Sequence, residues 1–92
     1  MKTKEFKELV KAFRVASESD ALMKEFLEDI LTPAEISEFK QRWQIVKMLN
    51  KGERQHDIAK KLHIGVGTVT RGSREMKDPN GGFMKVLKKT QK

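Results

Sequence analysis

The 92-residue chain has no cysteine and only two histidines. Without cysteine it can form no disulfide, no thiolate zinc site and no cysteine nucleophile. Two histidines alone are too few for a histidine-rich metal site. We therefore expect neither a bound metal nor a catalytic cofactor, and a fold without the usual covalent or metal supports of small proteins.

Long apolar segments are also missing. No run approaches the ~18 to 20 residues of a membrane-spanning helix. The opening MKTKEFKELVK lacks the apolar stretch and the small-residue cleavage site of a signal peptide. We expect a cytoplasmic protein with no membrane partner.

Catalytic patterns are missing as well. The sequence has no Ser/His/Asp arrangement, no pair of buried carboxylates, no Walker loop and no GxGxxG, and Gly65-Val66-Gly67 is too short for a dinucleotide loop. Its length is below the ~100 to 200 residues of a typical domain. We therefore expect one small domain and no enzyme.

The charge is basic but unevenly distributed. Twenty Lys and Arg oppose 13 Asp and Glu, a net charge of +7, which favours a polyanionic partner, nucleic acid ahead of membrane headgroups. Residues 1–39 carry six basic and nine acidic side chains, a net of −3, whereas residues 40–74 carry nine and two, a net of +7. Residues 75–92 carry five and two, a net of +3. This distribution indicates a scaffold that carries a polyanion-binding module.

Apolar side chains recur at spacings of three and four residues, the period of amphipathic helices, and we find no strand candidate and no internal repeat. The clearest helix start is Thr32-Pro33-Ala34-Glu35. Thr32 can cap the helix, proline suits the first helical position and Glu35 completes a capping box. The pattern predicts an all-α chain with helices at 3–17, 20–31, 33 to a stop at Gly52, 55–62, 66–76 and 83–89.

Residues 54–76 fit a helix-turn-helix. Two short helices flank His63-Ile64-Gly65, the small Ala59 lets them cross closely, and Val69 faces inward. In this motif the second helix presents its first residues to base edges in the major groove, while cations and backbone N–H groups hold phosphates. We expect DNA shape and bridging water to share the readout, because small side chains specify bases weakly. The candidate DNA contacts are Arg54, Gln55, His56, Lys60, Lys61, Gly65, Val66, Gly67, Thr68 and Thr70.

The first three helices each have a wide apolar face. A chain this short buries only roughly 60 to 65% of its unfolded surface, so a compact monomer would leave some of these faces in water. We therefore expect a homodimer whose N-terminal parts share one core, with a monomeric helical domain as the alternative. The expected organisation is a dimerisation core at 1–52, the helix-turn-helix at 53–76, and a C-terminal turn, short helix and tail at 77–92, all within one domain.

Four groups of residues between 31 and 73 form a recognisable set. They are Leu31-Thr32-Pro33-x-Glu35, Arg42 followed by Ile45-Val46, the Gly52-Glu53 pair, and Thr68-Val69-Thr70-Arg71-Gly72-Ser73. On these residues the chain resembles the bacterial tryptophan repressor family, and a generic helix-turn-helix has no need of the last string. The resemblance implies an intertwined all-helical homodimer that binds L-tryptophan as corepressor and then operator DNA, and so regulates tryptophan genes.

The resemblance also implies a ligand site. Arg42 and Arg71 would sandwich the indole, and Arg71 would also pair with the amino-acid carboxylate. A planar guanidinium suits both tasks because it stacks on rings and matches a carboxylate as a fork. Gly72 would lie where a side chain would fill the ligand space. The remaining implied members are Val46 and, from the other chain, Thr32 and the backbone around Leu31.

Three positions depart from the family pattern. Glu75 stands where the family has a serine near the ligand ammonium, and its carboxylate could either bind that ammonium or pair with Arg71 and compete with the ligand carboxylate. His63 replaces a glycine in a turn that often needs a left-handed backbone, at a cost of about 1 kcal/mol. Ala59 stands where the family offers a cation, whose phosphate contact could be replaced by Arg54, Lys60 or Lys61.

Simpler interpretations stay open. Arg42 could be an ordinary surface arginine and Arg71 an ordinary phosphate contact, and we interpret Trp43 as a core aromatic. The chain could be a constitutive helix-turn-helix regulator that does not respond to tryptophan, or a basic helical adaptor for protein or RNA. The C-terminal lysines are interpreted as a solvated face: Lys85, Lys88, Lys89 and Lys92.

Overall fold

The computed structural model describes residues 3–90, and that range contains helices and no strand. The all-α prediction is confirmed, and each helix end lies within two residues of the one expected. Lys92, assigned above to a solvated face, lies outside the described residues. The helices are α1 (Thr3–Ala16), α2 (Asp20–Ile30), α3 (Pro33–Asn50), α4 (Gln55–Leu62), α5 (Val66–Glu75) and α6 (Gly82–Thr90).

The described residues divide after residue 37 into two compact units. In the first unit α1 packs against α2. Phe13 and Phe26 meet edge to face, with ring centroids 5.1 Å apart. Ser19 caps α2, because its Oγ accepts a hydrogen bond from the Leu22 N–H at 3.1 Å. This unit is a helical hairpin. The boundaries expected after residues 52 and 76, between the dimerisation core, the helix-turn-helix and the C-terminal part, stay a prediction.

The first unit buries few of its apolar side chains. Among residues 3–37 only Ala16 is buried. A helical hairpin is normally stable in water only when its apolar face packs against another part of a protein. The large apolar side chains of α1 and α2 that stay at least 38% exposed are Phe6, Leu9, Val10, Val15, Leu22 and Ile30.

The capping box predicted at the start of α3 is confirmed. The Glu35 N–H donates to Thr32 Oγ1 at 3.1 Å, and the Thr32 N–H donates to Glu35 Oε1 at 2.9 Å. Leu31, expected as the last residue of α2, is already extended at φ −115° and ψ 147°. The residue before a proline avoids the helical region, so the chain leaves α2 before reaching Thr32.

The core of the second unit joins α3, α4 and α5. Ile58 and Val69 are fully buried, Ala59 is buried beside them, and Leu87 of α6 is also buried. Val69 therefore faces inward as predicted, and fully burying such a side chain contributes roughly 1.5 to 3 kcal/mol. Trp43, interpreted above as a core aromatic, is only half-buried. Ile45 completes the central cluster, and partly buried neighbours pack around it: Met48, Leu49, Leu62 and Ile64.

A left-handed glycine ends α3. Gly52 has φ 86°, a value that costs an L side chain free energy and glycine almost none. Its N–H donates to the Leu49 carbonyl at 3.0 Å, and the Glu53 N–H donates to the Met48 carbonyl at 3.2 Å. These two bonds satisfy carbonyls at the helix end that would otherwise lack a partner, so the stop predicted at Gly52 is confirmed.

His63 ends α4 in the same way but carries a side chain. It lies at φ 57° and ψ 46°, the left-handed region that the family resemblance implied for this turn. The His63 N–H donates to the Lys60 carbonyl at 3.4 Å, and the Ile64 N–H donates to the Ala59 carbonyl at 3.0 Å. The carbonyls at the end of α4 are therefore hydrogen-bonded, at the cost of local backbone strain at His63.

Replacing His63 with glycine should stabilise the protein. Removing Cβ relieves the left-handed strain, and part of that gain is offset by the greater freedom of glycine in the unfolded chain. We expect His63→Gly to raise the free energy of unfolding by about 0.5 to 1 kcal/mol in urea denaturation followed by circular dichroism. His63→Ala keeps Cβ and is the control; an equal gain in that variant would contradict strain as the cause.

Candidate functional site

The second unit contains a pocket of about 480 Å³, walled by α3 and α5 with one aromatic residue from α6. Pockets that bind small molecules measure roughly 300 to 1,000 Å³, so this one suits such a ligand. Five of the seven predicted ligand-binding residues line it, namely Arg42, Val46, Arg71, Gly72 and Glu75. The other lining residues are Glu38, Gln41, Ile45, Thr68 and Phe83.

Arg42 is held at the pocket by neighbours on its own helix. Its Nη2 lies 3.9 Å from Glu38 Oε2, and its Cζ lies 5.7 Å from the centre of the Phe39 ring. The side chains of Arg42 and Glu38 are 56% and 62% exposed, so this ion pair contributes little to stability. A ligand can therefore displace Glu38 from the Arg42 guanidinium at a small cost in free energy.

Arg71 lines the pocket from α5, one helical turn before Glu75. The two side chains form no ion pair, and among residues 3–90 neither has another ion-pair or hydrogen-bond partner. The sequence left open whether the Glu75 carboxylate forms an ion pair with the Arg71 guanidinium. In this structure it does not, so both charges face the pocket unpaired.

Gly72 brings α5 against α3. A Cβ at this position would lie 2.9 Å from Ile45 Cγ2, closer than real Cβ atoms come to a neighbour, and 3.9 Å from Leu49 Cδ1. The methyl group of Ile45 is attached directly to its Cβ and cannot swing far. The absence of a side chain at residue 72 therefore allows the close contact between α5 and α3. It also leaves room in the pocket, which was the reason inferred from the sequence.

Sequence reasoning did not assign five of the pocket residues to the ligand site. Glu38 and Gln41 lie one turn before Arg42 and Ile45, so helical spacing could have identified them. Phe83 could not be identified this way, because its position depends on how the chain returns through the turn at 77–81. Ile45 had been noted only as part of the family motif, and Thr68 only as a DNA contact.

Leu31 and Thr32 belong to the first unit. Leu31 is half-buried at the end of α2, and its N–H donates to the Leu27 carbonyl at 3.0 Å. Thr32 Oγ1 accepts from Glu35 in the capping box, and its own hydroxyl proton is not used within residues 3–90. Their assignment to the ligand site of a second chain stays a prediction.

The start of α5 presents a surface with little side-chain bulk. Gly65, Val66, Gly67 and Thr68 are all exposed. A Cβ added to Gly65 or Gly67 would meet nothing within 4 Å. The fold itself therefore does not require glycine at 67, and the bare backbone there is free for close approach by a partner.

Gln55 and Thr70, both predicted to contact DNA, also contact each other. Thr70 Oγ1 lies 2.6 Å from Gln55 Oε1 and 3.0 Å from the Val66 carbonyl oxygen, so its single proton is used within the protein. The contact ties the first turn of α4 to α5. The amide nitrogen of Gln55 has no partner among residues 3–90 and is the better placed of the two groups to donate outward.

The predicted phosphate-binding cations differ in whether an acidic side chain of the protein already pairs with them. Lys61 Nζ donates to Glu53 Oε1 at 2.5 Å, and this hydrogen bond, with the negative charge of Glu53, raises the pKa of Lys61. Arg54 Nε lies 3.1 Å from Asp57 Oδ2. Lys60 is exposed and has no ion pair within the described residues, and His56 is exposed as well. Ala59, where the family offers a cation, is buried and cannot contribute.

A family model described as Trp repressor protein matches residues 4–91. The chain belongs to the Trp repressor family. This is a family of DNA-binding transcription repressors, so the family gives no reason to expect an enzyme. Comparison with curated proteins and with solved structures gave no match.

Within the part of the chain that the structure describes, no three His, Cys, Asp or Glu residues come together as metal ligands. No helix in residues 3–90 has the length and apolar character needed to cross a membrane.

Two glycines of α5 provide a matched test of the helix contact. Gly72→Ala should lower the free energy of unfolding by about 1 kcal/mol or more, because overpacking against Ile45 outweighs the better helix propensity of alanine. Gly67→Ala meets open space and should raise the free energy of unfolding by about 0.5 kcal/mol. Urea denaturation measures both, and a stabilising Gly72→Ala would contradict the close contact.

Proposed function

We propose that the chain is a homodimeric transcription repressor that binds L-tryptophan and then operator DNA. The observation that carries this proposal is that Arg42 of α3 and Arg71 of α5 line the same pocket. Two guanidinium planes on facing helices suit a flat aromatic ligand, since arginine stacks on ring faces. Arg42 already lies over the ring of Phe39, so its surroundings permit that geometry.

The charges of the pocket support an amino acid as the ligand. Arg71 has no ion partner among the described residues and can grip a carboxylate with two parallel hydrogen bonds. Val46 and Ile45 supply apolar surface, and Gly72 leaves space beside them. In the proposed dimer a second copy contributes Thr32, whose hydroxyl proton has no acceptor among residues 3–90 of its own chain, and the backbone around Leu31.

Calorimetric titration with L-tryptophan tests the ligand directly. We expect the wild-type chain to bind, and Arg71→Lys to lose at least tenfold in affinity, because lysine keeps the charge but neither stacks nor forms a bidentate pair. Arg74→Lys is the matched control, since Arg74 is on the same helix but does not line the pocket. Equal affinities for wild type and Arg71→Lys would contradict the proposed role of Arg71.

We further propose that α4 and α5 act as a helix-turn-helix on DNA. The exposed start of α5, with Gly67 and Thr68 and the apolar Val66, is small enough to enter a major groove and contact thymine methyl groups or bridging waters. Lys60 and the amide of Gln55 lie on α4 and supply phosphate contacts. The bond between Gln55 and Thr70 would hold the two helices in a fixed relation while they dock.

Salt dependence separates the two adjacent lysines of α4. Each phosphate contact contributes roughly 0.9 to the slope of log K against log salt. Lys60→Ala should remove about one such contact and weaken binding to all sequences alike. Lys61→Ala should change the slope less, because Lys61 is already paired with Glu53. Fluorescence anisotropy over a salt series measures both, and a larger effect for Lys61 would contradict this assignment.

The exposed apolar faces of α1 and α2 support a dimer. Six large apolar side chains there stay at least 38% exposed, whereas only Ala16 is buried among residues 3–37. A second copy would cover these faces with an equally apolar surface, as in isologous dimers. The resulting shared core would account for the lack of a core in the hairpin itself.

Sedimentation tests this dimer. We expect a mass twice that of one chain at micromolar concentration. Leu9→Gln places a polar amide on the exposed apolar face and should shift the equilibrium towards monomer, whereas Arg14→Gln on the same helix should not. A monomeric wild-type chain would contradict the shared core.

Ligand and DNA binding are linked in the proposal through α5. A ring between Arg42 and Arg71 acts as a spacer that fixes α5 relative to α3, and only this arrangement presents both copies of α5 to successive major grooves. If the chain binds DNA sequence-specifically but shows no tryptophan binding in the titration above, it is a constitutive regulator with an unused pocket.

A further inference from the structure

One side of α6 carries three lysines whose charge no acidic side chain balances. Lys85, Lys88 and Lys89 are exposed, and none has an ion-pair or hydrogen-bond partner among residues 3–90. The helix itself contains no acidic residue. Elsewhere in the same unit cations are paired, as Lys61 is with Glu53. The positive charge of α6 is therefore available to a partner.

Helix geometry directs these lysines away from the core. Leu87 of α6 is 2% exposed and faces the interior. Lys85 and Lys89 lie two residues before and after it, which places both on the opposite side of a helix with 3.6 residues per turn. Lys88 is three residues from Lys85 and adjoins the same side. Together Lys85, Lys88 and Lys89 form the α6 lysine face.

The α6 lysine face is unfavourable for the helix alone. Lys85 is three and four residues from Lys88 and Lys89, and like charges at such spacings destabilise a helix. The helix dipole compensates for Lys88 and Lys89, which lie in the last turn. It does not compensate for Lys85, the fourth residue of the nine in α6. A charge pattern that weakens its own helix is best explained by a negatively charged partner.

Two observations favour DNA over an anionic membrane as this partner. A basic helix that binds a membrane surface inserts its apolar side, but Leu87 on that side of α6 is already buried within the protein. The first turn of α6 also lies at the same pocket as α5, because Phe83 and Thr68 both line it. DNA is the partner of this repressor family, and its phosphates bind lysines without any apolar contact.

We propose that the α6 lysine face is a second phosphate-binding surface for duplex DNA, separate from the helix-turn-helix. This inference rests on the proposed function, in which α4 and α5 dock on the operator. A lysine binds phosphate as a point charge and releases condensed counterions. Phosphate contacts carry no direct sequence information. The face therefore adds affinity for every duplex alike, and the C-terminal lysines of α6 have a role beyond that of a solvated surface.

The test compares two variants that remove the same charge from different helices. Glutamine replaces lysine in both, because it is neutral and keeps a high helix propensity. The first variant changes the α6 lysine face, and the control changes three exposed lysines of α1, which lies in the other unit. The substitutions are Lys85→Gln, Lys88→Gln and Lys89→Gln in the first variant, and Lys4→Gln, Lys7→Gln and Lys11→Gln in the control.

Fluorescence anisotropy over a salt series measures the affinity of each protein for two duplexes. One duplex is selected from a random pool with L-tryptophan present, and the other has the same length and a scrambled sequence. L-tryptophan is kept at one saturating concentration throughout. Circular dichroism and urea denaturation verify that both variants are folded.

We expect the α6 variant to lower the slope of log K against log salt by about 1.8 or more. Each of the two copies in the proposed dimer loses at least one phosphate contact, worth roughly 0.9. At about 0.1 M salt the binding should weaken at least tenfold, by the same factor for both duplexes. The α1 control should keep the wild-type slope.

Two results would overturn the inference while leaving the proposed function intact. One is an unchanged slope in the folded α6 variant. The other is an equal loss in the α1 control, since net charge alone would then account for both. In either case the wild-type chain still prefers the selected duplex, and Lys60→Ala still lowers the slope. A wild-type chain that binds neither duplex would instead overturn the proposed function, and with it this inference.

Discussion

The contact between Gly72 and Ile45 sets the position of α5, and the pocket depends on it. With a Cβ at residue 72 the nearest methyl group would be 2.9 Å away, so α5 reaches α3 only because the side chain is missing. This contact brings Arg71 and Glu75 to the same pocket as Arg42. A single residue thus couples the helix proposed to read DNA to the helix that supplies the other wall of the pocket.

The glycines of α5 serve different purposes. Gly72 is required by packing within the chain, whereas Gly67 lies where a Cβ would meet nothing within 4 Å. A residue that weakens its own helix without serving the fold is best explained by what approaches it from outside. The same reasoning applies to the first unit, whose exposed apolar side chains support the proposed dimer.

Local rules account for most of the fold. Period and capping predicted the six helices of residues 3–90 and the box of Thr32 and Glu35, because each depends on residues a few positions apart. The left-handed turn at His63 was implied by the family resemblance, whose pattern has a glycine there. Contacts between distant segments could not be predicted. The approach of Phe83 to the pocket and the bond between Gln55 and Thr70 depend on how helices pack. The half-buried Trp43 shows the same limit, since periodicity locates a face but not what covers it.

Tryptophan-gated repression requires coupling between ligand binding and DNA binding, and one binding cycle measures this coupling. A duplex is selected from a random pool in the presence of L-tryptophan, and its affinity is then measured by fluorescence anisotropy with and without saturating L-tryptophan at fixed salt. We predict tighter binding with the ligand, and an equal factor by which the duplex tightens L-tryptophan binding, of roughly 5- to 150-fold. Identical DNA affinity in the two conditions would contradict tryptophan-gated repression.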